Sequence, residues 1–508
     1  MTERRFPSWL FPAIAGVAAV AFGLGVAELV AGLLAPRASP VLVVGSLLID
    51  VAPSWAKDAA IALFGTADKV ALLVGIGVVL VALAAAAGVL QSRRPLLARL
   101  LIAAGGIFGI VAAVTRAGAS ILDAVPATVA TVAATLALTA LLNRRPVEPP
   151  PVGDLSRRRF LSWAGGAGVI GALAAVSGFA LQSGARVVTA VRETFTLPTP
   201  DVAAAPVPAG AELGVNGLTP VITPNADFYR IDTALQVPNL DPATWRLRIH
   251  GLVENEIELT WDELIALPLE ESHTTLMCVS NPVGGELVGT ALWLGYPIRE
   301  LLARAKPTSD ADMVLSRSSD GFSASSPLEA LTDDRNAILA IGMNGEPLPL
   351  EHGFPVRMVV PGLYGYVSAT KWVVELQITR FDKARGYWTD RGWSARGPVK
   401  ISSRIDVPRG SASAGEVVVA GVAWHQHTGI AGVEVSIDDG PWRDAELASA
   451  ISEDTWVQWR YRWDADPGSH VLKVRATSVD GEVQTAELAG VAPDGATGHH
   501  TVTIDVVE

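Results

Sequence analysis

Five apolar stretches, at 9–34, 70–90, 96–114, 124–142 and 160–181, constrain this 508-residue chain more than any other feature. Each approaches the roughly 20 residues that a helix needs to cross a bilayer core. A sixth, at 41–49, is too short to span and is expected at the interface. Glu28 and Arg99 lie within or beside spans but near their ends, where long side chains snorkel to the headgroups. Basic residues cluster before the first span (Arg4, Arg5), between the second and third (Arg93, Arg94), and between the fourth and fifth (Arg144, Arg145, Arg157, Arg158, Arg159). The positive-inside rule puts these clusters in the cytoplasm. Five spans that start inside finish outside, so the remainder is expected to be extracytoplasmic, on a multi-pass protein of the cell membrane.

Charge divides the chain the same way. Residues 1–182 carry 14 Lys and Arg against 8 Asp and Glu; the rest carries 25 against 43, summing to a net −12. A soluble part that acidic argues against nucleic acid and anionic lipid surfaces as its partners, leaving the bilayer as a partner of the spans alone. All eight histidines lie at position 250 or later, and Met1 is the only methionine before 277. The spans therefore lack axial ligands for a bis-His or His/Met haem, and no haem is expected. They read as an anchor or docking surface.

Residues 156–161, SRRRFL, resemble the twin-arginine export signal and directly precede a Gly-rich apolar helix. That route carries folded proteins, typically loaded with a cofactor beforehand. The stretch RRPVEPPPVGD upstream is a stiff linker. Four organisational units follow: 1–145, a four-span membrane domain; 146–205, the linker, export-like motif, fifth span and tether; 206–398; and 399–508. In the third, short β-like runs (TWRLRIHGLV, AILAIGMNG, KWVVELQI) interleave with helix signals (WDELIALP, YPIRELLARA), which predicts an α+β domain. It holds no G-x-G-x-x-G after a strand and no Walker A motif. In the fourth, alternating strands such as VVVAGVAWHQ and TWVQWRYRWDA predict an all-β, immunoglobulin-like sandwich with its Trp residues in packing roles. His425 and His427 lie two apart there with no third ligand near in sequence, which argues against a metal.

Cys278 is the only cysteine, at the end of the strand-like run TTLMC, before a turn-forming Asn-Pro and a Gly pair. No intrachain disulfide and no multi-cysteine metal site is possible. Alone, such a thiol reads as a small buried hydrophobe. The stretch MNGEPLPLEHGFPVRMVVPG, residues 343–362, changes that reading, because it resembles a segment of the sulfite oxidase family of molybdenum enzymes. WRLRIHGLVEN, GFSASSPLEAL and TLMC resemble further family segments, and the final sandwich resembles the family's dimerisation domain. The likeness covers about 206–508. It implies a molybdenum–molybdopterin cofactor with Cys278 as the metal ligand, a soft thiolate for a soft dithiolene-bound centre. It implies His352, Arg357 and Lys371 as donors to the cofactor phosphate. Asp320 matches a position that contacts the pterin, and Tyr229 and Arg230 in NADFYR fall near another contact segment.

The departures from the family matter as much. Sulfite oxidases follow the cysteine with A-G-N-R, whereas here Val279, Ser280, Asn281 and Pro282 follow, without the cation. Where the family has W-Q-R-R-D-Y, this chain reads YWTDRGW, putting Trp393 in the place of an active-site tyrosine and Asp390 in that of an arginine. Arg230 and Arg391 remain as substrate-side cations if they point inward. These substitutions suit a sulfite dianion poorly. The expectation is a membrane-anchored oxidoreductase performing two-electron oxygen-atom transfer on a small substrate other than sulfite, with a separate redox partner and a homodimer contact through the C-terminal domain. An S-oxide reductase resembling the periplasmic methionine sulfoxide reductase is the alternative. A non-catalytic surface binding protein with a vestigial enzyme domain is the alternative from another class.

Overall fold

A computed structural model describes residues 9–35, 38–53, 56, 63, 68–116, 119–142, 165–177 apart from 167 and 175, and 185–508. The chain forms two compact units, Met1–Thr189 with Thr233–Asn239, and Ala190–Asp232 with Leu240–Glu508.

In the first unit the helices α1 (Leu10–Leu34), α2 (Pro40–Val51), α3 (Asp68–Arg93), α4 (Pro95–Val114) and α5 (Ala124–Leu142) are apolar on nearly every face. By length and composition α1, α3, α4 and α5 suffice to cross a membrane. Helices that present Val74, Val78, Leu100, Ile107 and Leu136 outward cannot associate by hiding oil from water in lipid, so small residues must bring them close. Gly16 and Gly88 do this for α1 and α3, because a Cβ on either would collide with the other helix's backbone. The short helix α2 packs Val43 against Ala112 and Ala113 of α4. Arg99 is exposed, as expected near a span end. Glu28 departs from expectation: it is buried and accepts a hydrogen bond from Ser39 Oγ at 2.7 Å instead of snorkelling. A partner on the next helix removes the reason to reach for the headgroups. SRRRFL and both ends of the fifth apolar stretch lie outside the described residues.

The second unit is sheet-rich, interleaved with short helices as an α+β domain requires. One mixed sheet runs β2 (Ile257–Thr260), β1 (Arg246–Gly251), β10 (Val373–Thr379), β5 (Met313–Ser318), β6 (Ser323–Pro327), with β1 parallel to β10. The other runs β3 (Glu270–Met277), β4 (Val288–Pro297), β7 (Ile338–Met343), β8 (Glu346–Pro347), with β9 (Arg357–Val359) also on β7. The run WDELI forms the helix α7 (Trp261–Ile265), started by a capping box in which Thr260 and Glu263 satisfy each other's backbone N–H.

From Ser402 the chain is all-β. One sheet orders β11 (Ser402–Val407), β13 (Gly415–Trp424), β17 (Val457–Ala465), β16 (Glu446–Leu447). The other orders β12 (Ser411–Ser413), β19 (His500–Val507), β18 (Gly468–Ser478), β14 (Ile430–Ile437), β15 (Arg443–Asp444). Val419, Trp459, Val435, Leu472 and Ile504 from both sheets share one core. Trp424 and Trp456 instead pack into the core of the preceding α+β region. Their indole N–H groups donate to Met277 Sδ (3.1 Å) and the Val221 carbonyl (2.8 Å), and Thr275 exchanges bonds with Trp456 N and Asp454 O. The C-terminal sandwich thus grips β3, the strand that leads into Cys278.

Trp456→Phe keeps most of the apolar volume but strands the buried Val221 carbonyl. It should cost ~1–3 kcal/mol, seen as a lower midpoint when the detergent-solubilised full chain is unfolded in denaturant. An unchanged midpoint would show that the indole bond contributes nothing.

Candidate functional site

Cys278 follows β3 directly, and its loop closes on itself. Cys278 N–H donates to the Leu287 carbonyl (2.9 Å), Asn281 N–H to the Cys278 carbonyl (3.1 Å), and Asn281 Oδ1 accepts from Leu287 N–H (2.8 Å). Val279 and Asn281 are buried in this closure. The positions where the family pattern differs are therefore occupied by loop architecture, and no cation projects from 279–282. The thiol is free and buried. Burial pushes it up, while the Ser280 N–H and hydroxyl donate to the sulfur and Lys371 favours the thiolate.

The segment with the family likeness places two cations beside it. Arg357 and Lys371 face each other across an antiparallel bridge, and both are buried. Gly353 sits between them at φ 115, where a Cβ would press on Arg357 Cβ and Lys371 Cβ, so glycine is required twice over. The Arg357 guanidinium donates only to carbonyls, those of Met358 (3.3 Å) and His352 (3.1 Å), and lies 5.0 Å from the Trp293 ring centroid. Burial pulls it down to about 10. Lys371 donates to Asp232 (3.0 Å) and the Glu351 carbonyl (2.9 Å), and burial pulls it down to about 8. Arg230 completes the group through Asp232 at 2.9 Å. Arg230 and Lys371 share the Asp232 carboxylate while Arg357 donates to carbonyls, so three cations stand against that one carboxylate, an excess of positive charge that suits a dianion such as a phosphate monoester.

His352 adds a different function. Its Nε2 lies 3.2 Å from the Asn225 carbonyl, which can only accept, so Nε2 carries the proton. Burial first, then Arg357 and Lys371, hold the ring neutral by pulling it down to about 3. Nδ1 is then a buried acceptor without a hydrogen-bond partner. In this state His352 Nδ1 is set to accept from an N–H, the kind of group a pterin ring offers, where the family likeness implied a donor to the phosphate. The loop 224–232 that supplies Asn225 is pinned to the Asn344–Gly345 turn, where Asn344 Nδ2 donates to Asn225 Oδ1 (2.8 Å) and the Thr223 carbonyl (2.9 Å). Phe228 lies edge-on to Trp293 and His352 and stacks on Tyr229 at 5.3 Å. Tyr229 is raised by burial first and then by the charge of the Cys278 sulfur, so the phenol and the thiol lie in the same region.

So Tyr229, Arg230, Cys278, His352, Arg357 and Lys371 converge. Three further expected residues have local partners. The Asp320 carboxylate accepts from Phe322 N–H at 3.0 Å within its own turn. Arg391 donates to the Tyr387 carbonyl (2.7 Å) and stacks 3.5 Å over that ring. Trp393 is buried against Tyr366 and Trp388, at centroid distances of 5.9 and 6.1 Å. The sequence reading missed Asp232, which holds Arg230 and Lys371 together, and Tyr364. Tyr364 is fully buried near Cys278 and pushed up to about 12 mainly by burial. Its only sequence signal is a place in the loop PGLYG that follows β9.

Lys371 makes the site sensitive to pH. As pH rises through about 8 the ammonium loses its proton, and an anion held there loses a partner. Affinity for that anion should fall by up to about tenfold per pH unit above that point. Cofactor content after dialysis at pH 7 and pH 9.5 measures it, and Lys371→Arg should remove the dependence. Equal retention at both pH values in the wild type would show that Lys371 does not hold the anion.

Residues 234–388 match the oxidoreductase molybdopterin-binding domain family. Mouse mitochondrial sulfite oxidase is 31% identical over 271 residues, 44% of this chain and 49% of that protein, so the chain spans about half the length of this relative. The uncharacterised oxidoreductase YuiH of Bacillus subtilis is 32% identical over 157 residues, 31% of this chain and 76% of that one. The solved sulfane dehydrogenase SoxCD of Paracoccus pantotrophus is 25% identical with a TM-score of 0.49, over 56% of this chain and 81% of that chain. With the cysteine and the buried cations in place, the chain belongs to the sulfite oxidase family of molybdopterin-dependent oxidoreductases.

Proposed function

We propose that this chain is a membrane-anchored, extracytoplasmic oxidoreductase acting on a small substrate other than sulfite. When bound, the molybdenum–molybdopterin supplies two-electron oxygen-atom transfer. In this reading the Cys278 sulfur is the protein ligand to the metal, and the Ser280 N–H and hydroxyl donate to it. Arg357, Lys371 and Arg230 hold the phosphate, His352 Nδ1 accepts from the pterin, and Tyr229 closes the pocket over the sulfur. The observation that carries the reading is the pair of buried cations, Arg357 and Lys371, with only Lys371 paired to a carboxylate, in the same region as the single thiol. A vestigial binding protein would be relieved of that cost by losing either cation, so their retention favours an enzyme.

The substrate reading rests on the loop after Cys278. Val279 and Asn281 serve its closure, and Arg357, Lys371 and Arg230 are given to the phosphate in this reading, which leaves few charges for an anionic substrate. A neutral S-oxide or N-oxide suits such a pocket, and the S-oxide reductase reading shares this support. Asp390 and Trp393 are counted with the pocket wall, Arg391 with its support. The domain limits proposed are 206–398 for the cofactor domain and 399–508 for an immunoglobulin-like sandwich that offers a homodimer contact. The outward location follows from the basic clusters and the SRRRFL motif, and electrons come from a separate redox partner.

Cys278→Ser should abolish turnover, by at least ~10²-fold or ~2.7 kcal/mol of activation free energy, while most of the pterin stays bound, because the other contacts lie on different segments. Metal and pterin analysis with a dye-linked assay test this, and full activity without the thiol would end the ligand assignment.

Sulfite should be a poor substrate beside S- and N-oxides offered with a reduced dye. Two missing charge-assisted bonds to an anion, at ~1.5–3 kcal/mol each, correspond to roughly 10²–10⁴-fold in affinity. Sulfite oxidation at low micromolar KM would overturn this substrate reading.

A further inference from the structure

Two histidines two apart in sequence, without a third ligand nearby, gave no reason to expect a metal in the C-terminal region. The fold brings the missing ligands from a distant turn. The chain leaves β13 into a tight turn at 425–429, where His427 takes φ 63 and its N–H donates to the Glu453 carbonyl at 3.0 Å. This aims Nδ1 at the turn 452–455, whose own bonds from Asp454 N–H to Ser452 Oγ (3.2 Å) and from Thr455 Oγ1 to the Ser452 carbonyl (3.0 Å) fix its shape. His427 Nδ1 then lies 3.7 Å from Glu453 Oε1 and 3.5 Å from Asp454 Oδ1, and all three atoms fall within 4.8 Å of one another. His425 is not part of this group.

Three features point to a ligand. The Asp454 side chain is 8% exposed, and both its Oδ1 and His427 Nδ1 are shut off from water without a hydrogen bond. At 3.5 Å they are too far apart and too poorly aligned to satisfy each other. Second, a tetrahedral zinc with bonds of about 2.0–2.2 Å sets its ligand atoms ~3.4 Å apart, close to the two spacings seen. Third, among the described residues the ion pairs of both carboxylates are with His427 itself, and Arg335, the nearby guanidinium, is held by both oxygens of Asp333. Burial and the Glu453 charge push Asp454 up to about 6, a cost of the ionised form that a divalent cation would offset. One imidazole and two carboxylates with a divalent ion sum to zero charge.

We propose that His427, Glu453 and Asp454 form a binding site for a divalent transition metal, with Zn²⁺ the best fit to a mixed nitrogen and oxygen donor set and a fourth position left to water. The site pins the turn 452–455, which also holds Thr275 of β3 through the Asp454 carbonyl and Trp456 N–H, so metal would stiffen the sandwich's grip on the strand that ends at Cys278.

The test is equilibrium dialysis of the full-length holoenzyme against Zn²⁺ alone, with zinc and molybdenum counted together. One Zn²⁺ per chain is expected. Glu453→Gln, whose side chain is 61% exposed and whose loss leaves the fold intact, and Asp454→Asn should each weaken binding by more than the ~10–100-fold that loss of a mere supporting partner costs. Zn²⁺ should raise the unfolding midpoint of the wild type and leave that of Glu453→Gln unmoved. No stoichiometric zinc, or zinc held equally well by both variants, overturns the proposal.

Discussion

Arg357 and Lys371 are buried side by side across a bridge; Lys371 shares the Asp232 carboxylate with Arg230, and Arg357 has only carbonyls to donate to. A charge removed from water costs several kcal/mol unless it is paired, and two adjacent like charges add repulsion to that cost. The structure around them is arranged to hold them there nonetheless. Gly353 lets the two backbones close without a Cβ between them, His352 and Glu351 give up their carbonyls, and the loop 224–232 brings Asp232. The same loop brings Tyr229 into the region of the thiol and Asn225 to His352, so one electrostatic demand organises both the anion cradle and the approach to Cys278.

The second constraint is mechanical. A metal ligand on a free loop would wander, but Cys278 sits at the end of β3, which is paired along its whole length with β4 and gripped from the other side by Trp424, Gln426 and Trp456. Those grips come from the C-terminal sandwich. A substitution far from the cofactor in chain position can thus reach the thiol through two or three buried hydrogen bonds. Trp424 and Trp456 belong to the core of the α+β region although their strands belong to the sandwich, so these regions of the second unit share one packed interior.

Local patterns in the chain foretold a good deal of this. The alternation in VVVAGVAWHQ and TWVQWRYRWDA became β13 and β17, the signals in WDELIALP and YPIRELLARA became helices, and four of the expected spans are long apolar helices. Cys278, Arg357 and His352 could be singled out only through the family-like strings TLMC and HGFPVR, since a lone cysteine by itself reads as a small buried hydrophobe. What stayed hidden depends on contacts far apart in sequence. Asp232 has no signal until Lys371 lies against it, 139 residues away. Glu453 and Asp454 read as turn residues until His427 faces them. Glu28 looked free to snorkel because Ser39, its partner, is eleven residues away on another helix. Asp320 shows a local use of its carboxylate, an Asx turn in which Oδ1 accepts from Phe322 N–H.

The buried charges also bear on the order of events in biogenesis under the proposed function. A domain that buries Arg357 against carbonyls alone, beside a second buried cation that has only Asp232, is least stable when empty, and a dianion that binds the folded state alone stabilises it by mass action. Loading therefore contributes to folding, and a chain exported before loading would cross the membrane in its weakest form. A route that moves folded, occupied domains removes that difficulty, which is the physical sense of an SRRRFL motif ahead of such a site. The motif and the cradle, more than a hundred residues apart, then answer one requirement: the charge excess has to be filled on the side of the membrane where its partner is made.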